Sequence, residues 1–286
     1  METLIPQMVT LPGAQESDTI HVMAATHTTV DRHKHSFYEL VFVREGYCLH
    51  HLADSVSLAM EGDILLIKPG VAHRYAGTRE CKIFNCLFLQ EAFGEEDFSE
   101  LMKLPGMMQF FSDASVEFPQ LHLDLSERKS VSRMLEQMYA ECEKREDGWR
   151  LRVRSLLICL MIDYSRVFAT RGNGHSEKDG YSGYVTHALQ YFDEHYAKES
   201  LSVKEIGEVV GVSGDYLSRQ FRRVTGIAVQ EYVRRYRFAR AIVCLQQGYT
   251  VGDAAKLNGF HSISYFSREF KKEMGMMPSQ YLNLQE

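Results

Sequence analysis

The sequence predicts an α+β protein of two domains. An N-terminal antiparallel β-barrel carries a helical pair, and a C-terminal all-α domain is built from two helix-turn-helix units. Three observations predict this. Short apolar runs separated by turn formers fill the stretch from His21 to about Leu89. From Ser126 the apolar spacing changes to threes and fours. A block within the last hundred or so residues is then written twice, 49 positions apart.

A chain of 286 residues allows two domains that each bury a core. With 45% hydrophobic and 24% charged residues, neither disorder nor a fibrous fold is indicated. The net charge of −6 is unevenly spread. From Gly183 onward 13 Lys and Arg face 11 Asp and Glu, and the rest of the chain has 19 against 27. An acidic front half on a mildly basic tail is expected if only the tail meets phosphates. The six cysteines (Cys48, Cys81, Cys86, Cys142, Cys159, Cys244) contain no CxxC pair and read as reduced thiols of a cytoplasmic protein. Met1 to Ser17 lacks a basic region leading into an apolar core, so it does not read as a signal peptide. The longest apolar run, Leu156 to Ile162, is far short of the ~20 residues a membrane span needs.

In the barrel, strands are expected at Tyr38–Val43, Ile64–Ile67 and Ile83–Leu89, with turns at Glu45-Gly46, Glu61-Gly62-Asp63 and Pro69-Gly70. Residues 1–125 are assigned to it, although Ala92 to Leu123 shows no regular pattern. Val131, Met134, Leu135, Met138 and Tyr139 mark an amphipathic helix to about Arg145. Leu151, Leu156, Leu157, Leu160 and Met161 mark a second from about Gly148. This pair, residues 126–170, either covers a face of the barrel or forms a dimer seam. Residues 171–182 are polar and glycine-rich and read as a linker. Residues 183–286 read as the helical domain.

In the duplication, Tyr216-Leu-Ser-Arg-Gln-Phe-Arg-Arg223 recurs as Tyr265-Phe-Ser-Arg-Glu-Phe-Lys-Lys272. Gly226 matches Gly275 and Tyr232 matches Tyr281 at the same offset, whereas Gly211 matches Gly259 at 48. The one-residue slip falls within the tight turn. Each copy has the parts of a helix-turn-helix. In the first, Val203, Ile206, Val209 and Val210 supply an apolar face, Gly207 sits where two helices cross, Gly211 makes the turn and Ser213 caps the next helix. That helix should bury Tyr216, Leu217 and Phe221. In the second copy Ala255, Gly259 and Ser262 take the same places, and Tyr265, Phe266 and Phe270 should be buried. Between the copies, Ala228 to Gln247 reads as one helix. About twenty residues at ~1.5 Å each span ~30 Å, close to the ~34 Å between successive major-groove faces of B-DNA. Two recognition helices on such a rod can enter neighbouring grooves of one duplex.

With Gly259-Phe260, Tyr265 to Lys272 and the closing Gly275-x-x-Pro278-x-x-Tyr281, residues 185–284 resemble the DNA-binding domain of the AraC/XylS family of transcription regulators. The resemblance implies base contacts from Asp215, Ser218 and Arg219 in the first unit and from Ile263, Ser264, Ser267 and Arg268 in the second. Arg222, Arg223, Lys271 and Lys272 suit phosphate contacts. The implied partners are promoter DNA, a second copy of the chain and RNA polymerase, with no membrane. Departures from the family pattern are Gly207 for the usual Ala, Val229 for Pro, His261 for Ser, and Asp215 at a base-reading position. On helix propensity alone Gly207 should loosen its helix by up to ~1 kcal/mol.

His33-x-His35-x-x-x-Glu39 followed by Gly46 resembles the first cupin motif, and Gly62-Asp63 with Pro69-Gly70-x-x-His73 resembles the second. The front half is therefore expected to be a cupin-like barrel. The resemblance implies His33, His35, Glu39 and His73 as a ligand set for a divalent transition metal. Strand parity places residues 33, 35, 37 and 39 on one face. Without metal, the same four side chains with Phe37 would hydrogen-bond and pack against a small organic effector, such as the sugars some relatives sense. The function implied is a ligand-responsive transcription regulator and not an enzyme. The readings that compete with it are a cupin metalloenzyme with a helical tail, and a DNA-binding protein whose barrel only dimerises.

Overall fold

The computed structural model describes residues 7–8, 11–15, 18–27, 30–52, 55–112, 120–172, 181–198 and 200–283. Its first half is a sheet of β1 (Gln7–Met8), β2 (Ile20–His27), β3 (Val30–His35), β4 (Tyr38–Leu52), β5 (Ser55–Met60), β6 (Asp63–Ile67), β7 (His73–Phe88) and β8 (Leu121–His122). Neighbours are antiparallel, apart from β1 beside β3. The expectation of uniformly short strands is corrected. β4 and β7 have 15 and 16 residues and run side by side, from Tyr38 opposite Phe88 to Leu52 opposite His73. The turn expected at Glu45-Gly46 does not end a strand. It is absorbed by bulges between Val43 and Leu49, where Gly46 takes φ 76°.

These bulges decide which side chains face inward. Before them Leu40 and Phe42 join the core beneath the helices, while Val41 and Val43 point into the barrel with Leu65, Ile67, Tyr75 and Ile83. After them the parity is reversed: Cys48 points inward, and Tyr47 and Leu49 point outward. Both faces of β4 are buried on either side of Arg44–Gly46, which is why Leu40 to Val43 reads as a continuous apolar run instead of an alternation.

The segment with no sequence pattern contains α1 (Glu95–Leu101) and α2 (Met107–Ser112). The helical pair is α3 (Leu125–Lys144) and α4 (Trp149–Val167). Asp124 caps α3 by accepting from the N–H groups of Ser126 and Glu127, and Glu127 returns the bond to the Asp124 N–H. α3 packs on β2, and the pair closes one outer face of the barrel. Leu151, expected on the apolar face of α4, is 66% exposed. It lies in the first turn, ahead of the buried stripe Val153, Leu157, Leu160 and Tyr164. Asp18 ties the N-terminal segment to the α3–α4 turn through Arg145 (2.9 Å) and Arg150 (3.1 Å).

Of the expected linker, 171–182, residues 173–180 lie outside the described residues, and α5 begins at Tyr181. The helical domain contains α5 (Tyr181–His195), α6 (Val203–Val210), α7 (Gly214–Thr225), α8 (Val229–Gln246), α9 (Val251–Leu257), α10 (Ile263–Met274) and α11 (Pro278–Asn283). One core joins Ile206, Leu217 and Phe221 to Val185 and Phe192 of α5 and to Tyr232 and Tyr236 of α8. A second joins Ala254, Ala255, Phe266 and Phe270 to Phe238 and Ile242 of the same α8. The connecting rod therefore contributes to both cores. Among the described residues no helix is long and apolar enough to cross a membrane.

Candidate nucleic-acid interface and effector site

The two units repeat in structure as in sequence. α7 and α10 are each 12 residues long. Ser213 and Ser262 accept at 3.3 Å from the N–H of Tyr216 and Tyr265. Gly211 and Gly259 turn the chain at φ 81° and 74°. The buried stripe is narrower than expected: Leu217 and Phe221 in α7, Phe266 and Phe270 in α10. Tyr216 is half-buried and Tyr265 is 44% exposed, because each precedes the stripe by about 100° of helix rotation. Val209, expected in the core, is 55% exposed.

Asp215, Arg219, Arg222 and Arg223 are exposed on α7, as are Ile263, Ser264, Arg268, Lys271 and Lys272 on α10. Ser267 and Ser218 are half-buried, and Ser218 Oγ donates to the Gly214 carbonyl at 2.9 Å. That bond commits its hydroxyl hydrogen to its own helix and leaves its lone pairs facing out. The arginines of α8 are bound within the protein. Arg234 reaches Glu231 and Glu269, Arg235 reaches Glu231, Arg237 donates to the carbonyls of Tyr196 and Lys198, and Arg240 donates to the Tyr196 hydroxyl. Arg219, Arg222, Arg268, Lys271 and Lys272 by contrast stand exposed on the recognition helices.

In the barrel, Glu39 Oε2 lies 3.1 Å from His35 Nε2 and 3.3 Å from His73 Nε2. The donor atoms of these three buried side chains lie within 4.8 Å of one another. His33 falls outside that group, half-buried, with its ring 4.3 Å from that of His73. Contrary to the expectation from strand parity, residues 33, 35, 37 and 39 do not lie on one strand. Ser36 and Phe37 form a bend, so His33 and His35 belong to β3 and Glu39 to β4. Convergence comes instead from the pairing of β3 with β7, which sets His33 opposite His73. Phe37 stacks on His35 at 4.3 Å but packs with Leu11 and Leu87, behind the imidazole. His50, outside the ligand set that the sequence implies, is buried with its ring 5.8 Å from His73 and 4.8 Å from Tyr75. The reversed parity after Val43 concealed it.

All three histidines are oriented alike. Nδ1 faces a backbone carbonyl in each case: Asp31 for His33 (2.8 Å), Phe37 for His35 (2.6 Å) and Val71 for His73 (3.4 Å). A carbonyl only accepts, so each Nδ1 carries a proton, and an Nε2 that hydrogen-bonds the Glu39 carboxylate must carry one as well. Burial opposes ionisation of Glu39, but its hydrogen bonds to His35 and His73 and their charges outweigh it and hold the carboxyl well below the usual range. Burial pushes the His33 imidazole down. The cluster is thus a buried carboxylate facing nitrogens whose outer positions are already fixed.

A β-barrel roofed by two helices, joined to two capped recognition helices on one rod, defines a two-domain DNA-binding regulator. A family model for an AraC-like ligand-binding domain matches residues 15–161, just over half of the chain, and one for a helix-turn-helix domain matches residues 206–283. The chain belongs to the AraC family of transcription regulators and is not an enzyme. It is similar to the HTH-type transcriptional activator RhaR of Klebsiella pneumoniae, at 26% identity over 255 residues, covering 87% of this chain and 86% of that one. RhaR of Enterobacter sp. is 27% identical over 251 residues, with the same coverage of both chains. Among solved structures, the C-terminal domain of AraT, a response regulator from Geobacillus stearothermophilus, is 30% identical with a TM-score of 0.34, covering 35% of this chain and 84% of that one. Wild-type ToxT from Vibrio cholerae is 14% identical with a TM-score of 0.35, covering 92% and 94%.

Proposed function

We propose that the protein is a ligand-responsive transcriptional activator working in the cytoplasm, reading a promoter with α7 and α10 in adjacent major grooves. One observation carries the DNA reading: two identically capped helices present an exposed arginine, Arg219 or Arg268, at the same place in both units. Asp215, Ser218, Arg219, Ile263, Ser264, Ser267 and Arg268 read base edges, and Arg222, Arg223, Lys271 and Lys272 hold phosphates. The name of the RhaR relatives supports activation. Activation implies contact with RNA polymerase, and exposed Leu151 and Cys159 on α4 support a homodimer seam there.

A site selected from random duplexes by the purified protein provides the test. Arg268→Ala is expected to lose about 1–3 kcal/mol on the selected site and to relax preference at one or two bases. Lys271→Ala should weaken selected and random DNA alike and lower the salt slope by about 1. Equal losses on both DNAs for Arg268→Ala would refute its assignment to a base.

The effector reading places a small hydroxyl-rich molecule, a sugar above all, against His33, His35, Glu39 and His73, with Phe37 bracing His35 from behind. The convergence of ring nitrogens favours a second reading, a divalent transition metal held by His35, Glu39 and His73 with His33 beside them. Nδ1 protons given to carbonyls are the outer-shell arrangement that orients metal-bound imidazoles. A bound metal would supply a Lewis-acidic centre for oxygen ligands. Thermal melting with a sugar panel and with Zn²⁺, Mn²⁺ and Ni²⁺, on wild type and His35→Ala, separates the readings. A ligand at a hundred times its Kd adds about 2.7 kcal/mol, a shift of several degrees. Loss of the metal shift in His35→Ala supports the metal, and loss of a sugar shift supports the organic effector. A barrel that responds to neither, or shifts that survive the substitution, removes this site from the account.

A further inference from the structure

Gly226 and Gly275 end the two recognition helices in the same way, at φ 77° and 74°, each with its N–H on the carbonyl four residues back. Their surroundings differ. A side-chain carbon at Gly275 would meet nothing within 4 Å. One at Gly226 would collide with His122 Nε2 of the barrel and stand 3.2 Å from Arg128 Nη2. His122 cannot simply swing aside. Its Nδ1 lies 2.7 Å from Asp63 Oδ1 and its Nε2 lies 2.5 Å from Arg128 Nη2. A guanidinium only donates, so Nε2 accepts and Nδ1 donates to Asp63. Asp63 is buried and also accepts from the Met60 N–H (2.7 Å) and from Gln120 Nε2 (2.6 Å). A hydrogen-bonded column therefore runs from the β5–β6 turn to His122 and Arg128, which stand against the end of the first recognition helix.

A second contact lies alongside. The outward side chains Tyr47, Leu49, Leu58 and Met60 share one apolar cluster with α5 and α8, and the Arg235 guanidinium sits 5.5 Å over the Tyr47 ring. Among the described residues the core of the second unit contains no barrel side chain.

We infer that the barrel is an interaction surface for the first reading unit, gripping Gly226 through His122 and that unit's core of α5 and α8 through Tyr47 and Leu58. β4 carries lumen-facing Cys48 and outward Tyr47 and Leu49 as neighbours. If the effector reading holds, on which only this consequence rests, occupancy of the barrel reaches the first half-site and leaves the second unchanged.

The test is hydrogen exchange on the full chain without any ligand, so its failure is distinct from failure of the effector reading. Gly226→Ala is expected to raise exchange at least tenfold in β5 and in the first half of α8, with β2 unchanged. Gly275→Ala carries the same backbone strain with no collision and should leave both segments as in wild type. Adding His122→Ala to Gly226→Ala makes room for the methyl group and should restore protection. Leu58→Asp disrupts the surface from the barrel side, independently of α7, and should also raise exchange in α8. Equal effects of the two glycine variants, or wild-type exchange in α8 for Leu58→Asp, would overturn the inference.

Discussion

Phe266→Ala is expected to unfold the second reading unit while the barrel stays intact. The ring is fully buried, stacked on Phe238 at 5.7 Å and in contact with Phe260 at 4.9 Å and Phe270 at 5.6 Å. Truncating a buried aromatic costs about 3–5 kcal/mol, a large share of what a domain of this size holds in reserve. Hydrogen exchange should rise to near-unfolded rates in α9 and α10, with β2 and β6 still protected. DNA binding should fall to the level of one unit. Retained protection in α10 would mean that the packing around Phe266 is not what holds this unit together.

Gly207→Ala is expected to destabilise, opposite in sign to helix propensity. In isolation alanine would strengthen α6 by up to ~1 kcal/mol. Here its methyl carbon would stand 2.7 Å from the Val212 carbonyl oxygen, 3.0 Å from Gly214 N and 3.1 Å from the Ser213 carbonyl carbon, all of them backbone. Overpacking of this kind costs about 1–3 kcal/mol, leaving a net loss of up to about 2 kcal/mol. The cause lies in the one-residue slip between the repeats. One residue, Val212, separates Gly211 from the cap Ser213, whereas Phe260 and His261 separate Gly259 from Ser262. The shorter turn draws α7 against α6, so Gly207 needs the space that Ala255 fills in the second unit. Denaturant unfolding of Gly207→Ala and Ala255→Gly checks this. Both should lose stability, and a more stable Gly207→Ala would sink the explanation.

The helical domain was almost fully legible in the sequence, because helix periodicity, serine caps and turn glycines are local signals. The repeat made them doubly visible at Ser213 and Ser262. Gly207 shows the limit: its departure from the family pattern was visible, but the sign of its effect depends on a turn length whose packing consequence is three-dimensional. In the barrel, the spacing of His33, His35, Glu39 and His73 was legible as a cluster, yet the reason for their convergence was misread. A bend at Ser36-Phe37 replaces one strand by two, and the pairing of His33 with His73 joins residues forty apart. His50 was hidden by the same kind of non-local event, the bulges that reverse β4. Docking of the first unit on the barrel left no sequence signal at all, since Asp63, His122 and Gly226 come from three distant segments.

The bulged stretch of β4 has one more consequence. Because side chains alternate with a period of two, deleting a single residue between Val43 and Tyr47 would exchange the two faces of the strand beyond it. The thiol and imidazole of Cys48 and His50 would then turn toward the DNA-reading half, and the ring of Tyr47 would enter the chamber. Length changes at this spot are therefore all-or-nothing: Arg44 and Glu45 can vary, but Gly46 is held by its φ of 76° and the number of residues is fixed.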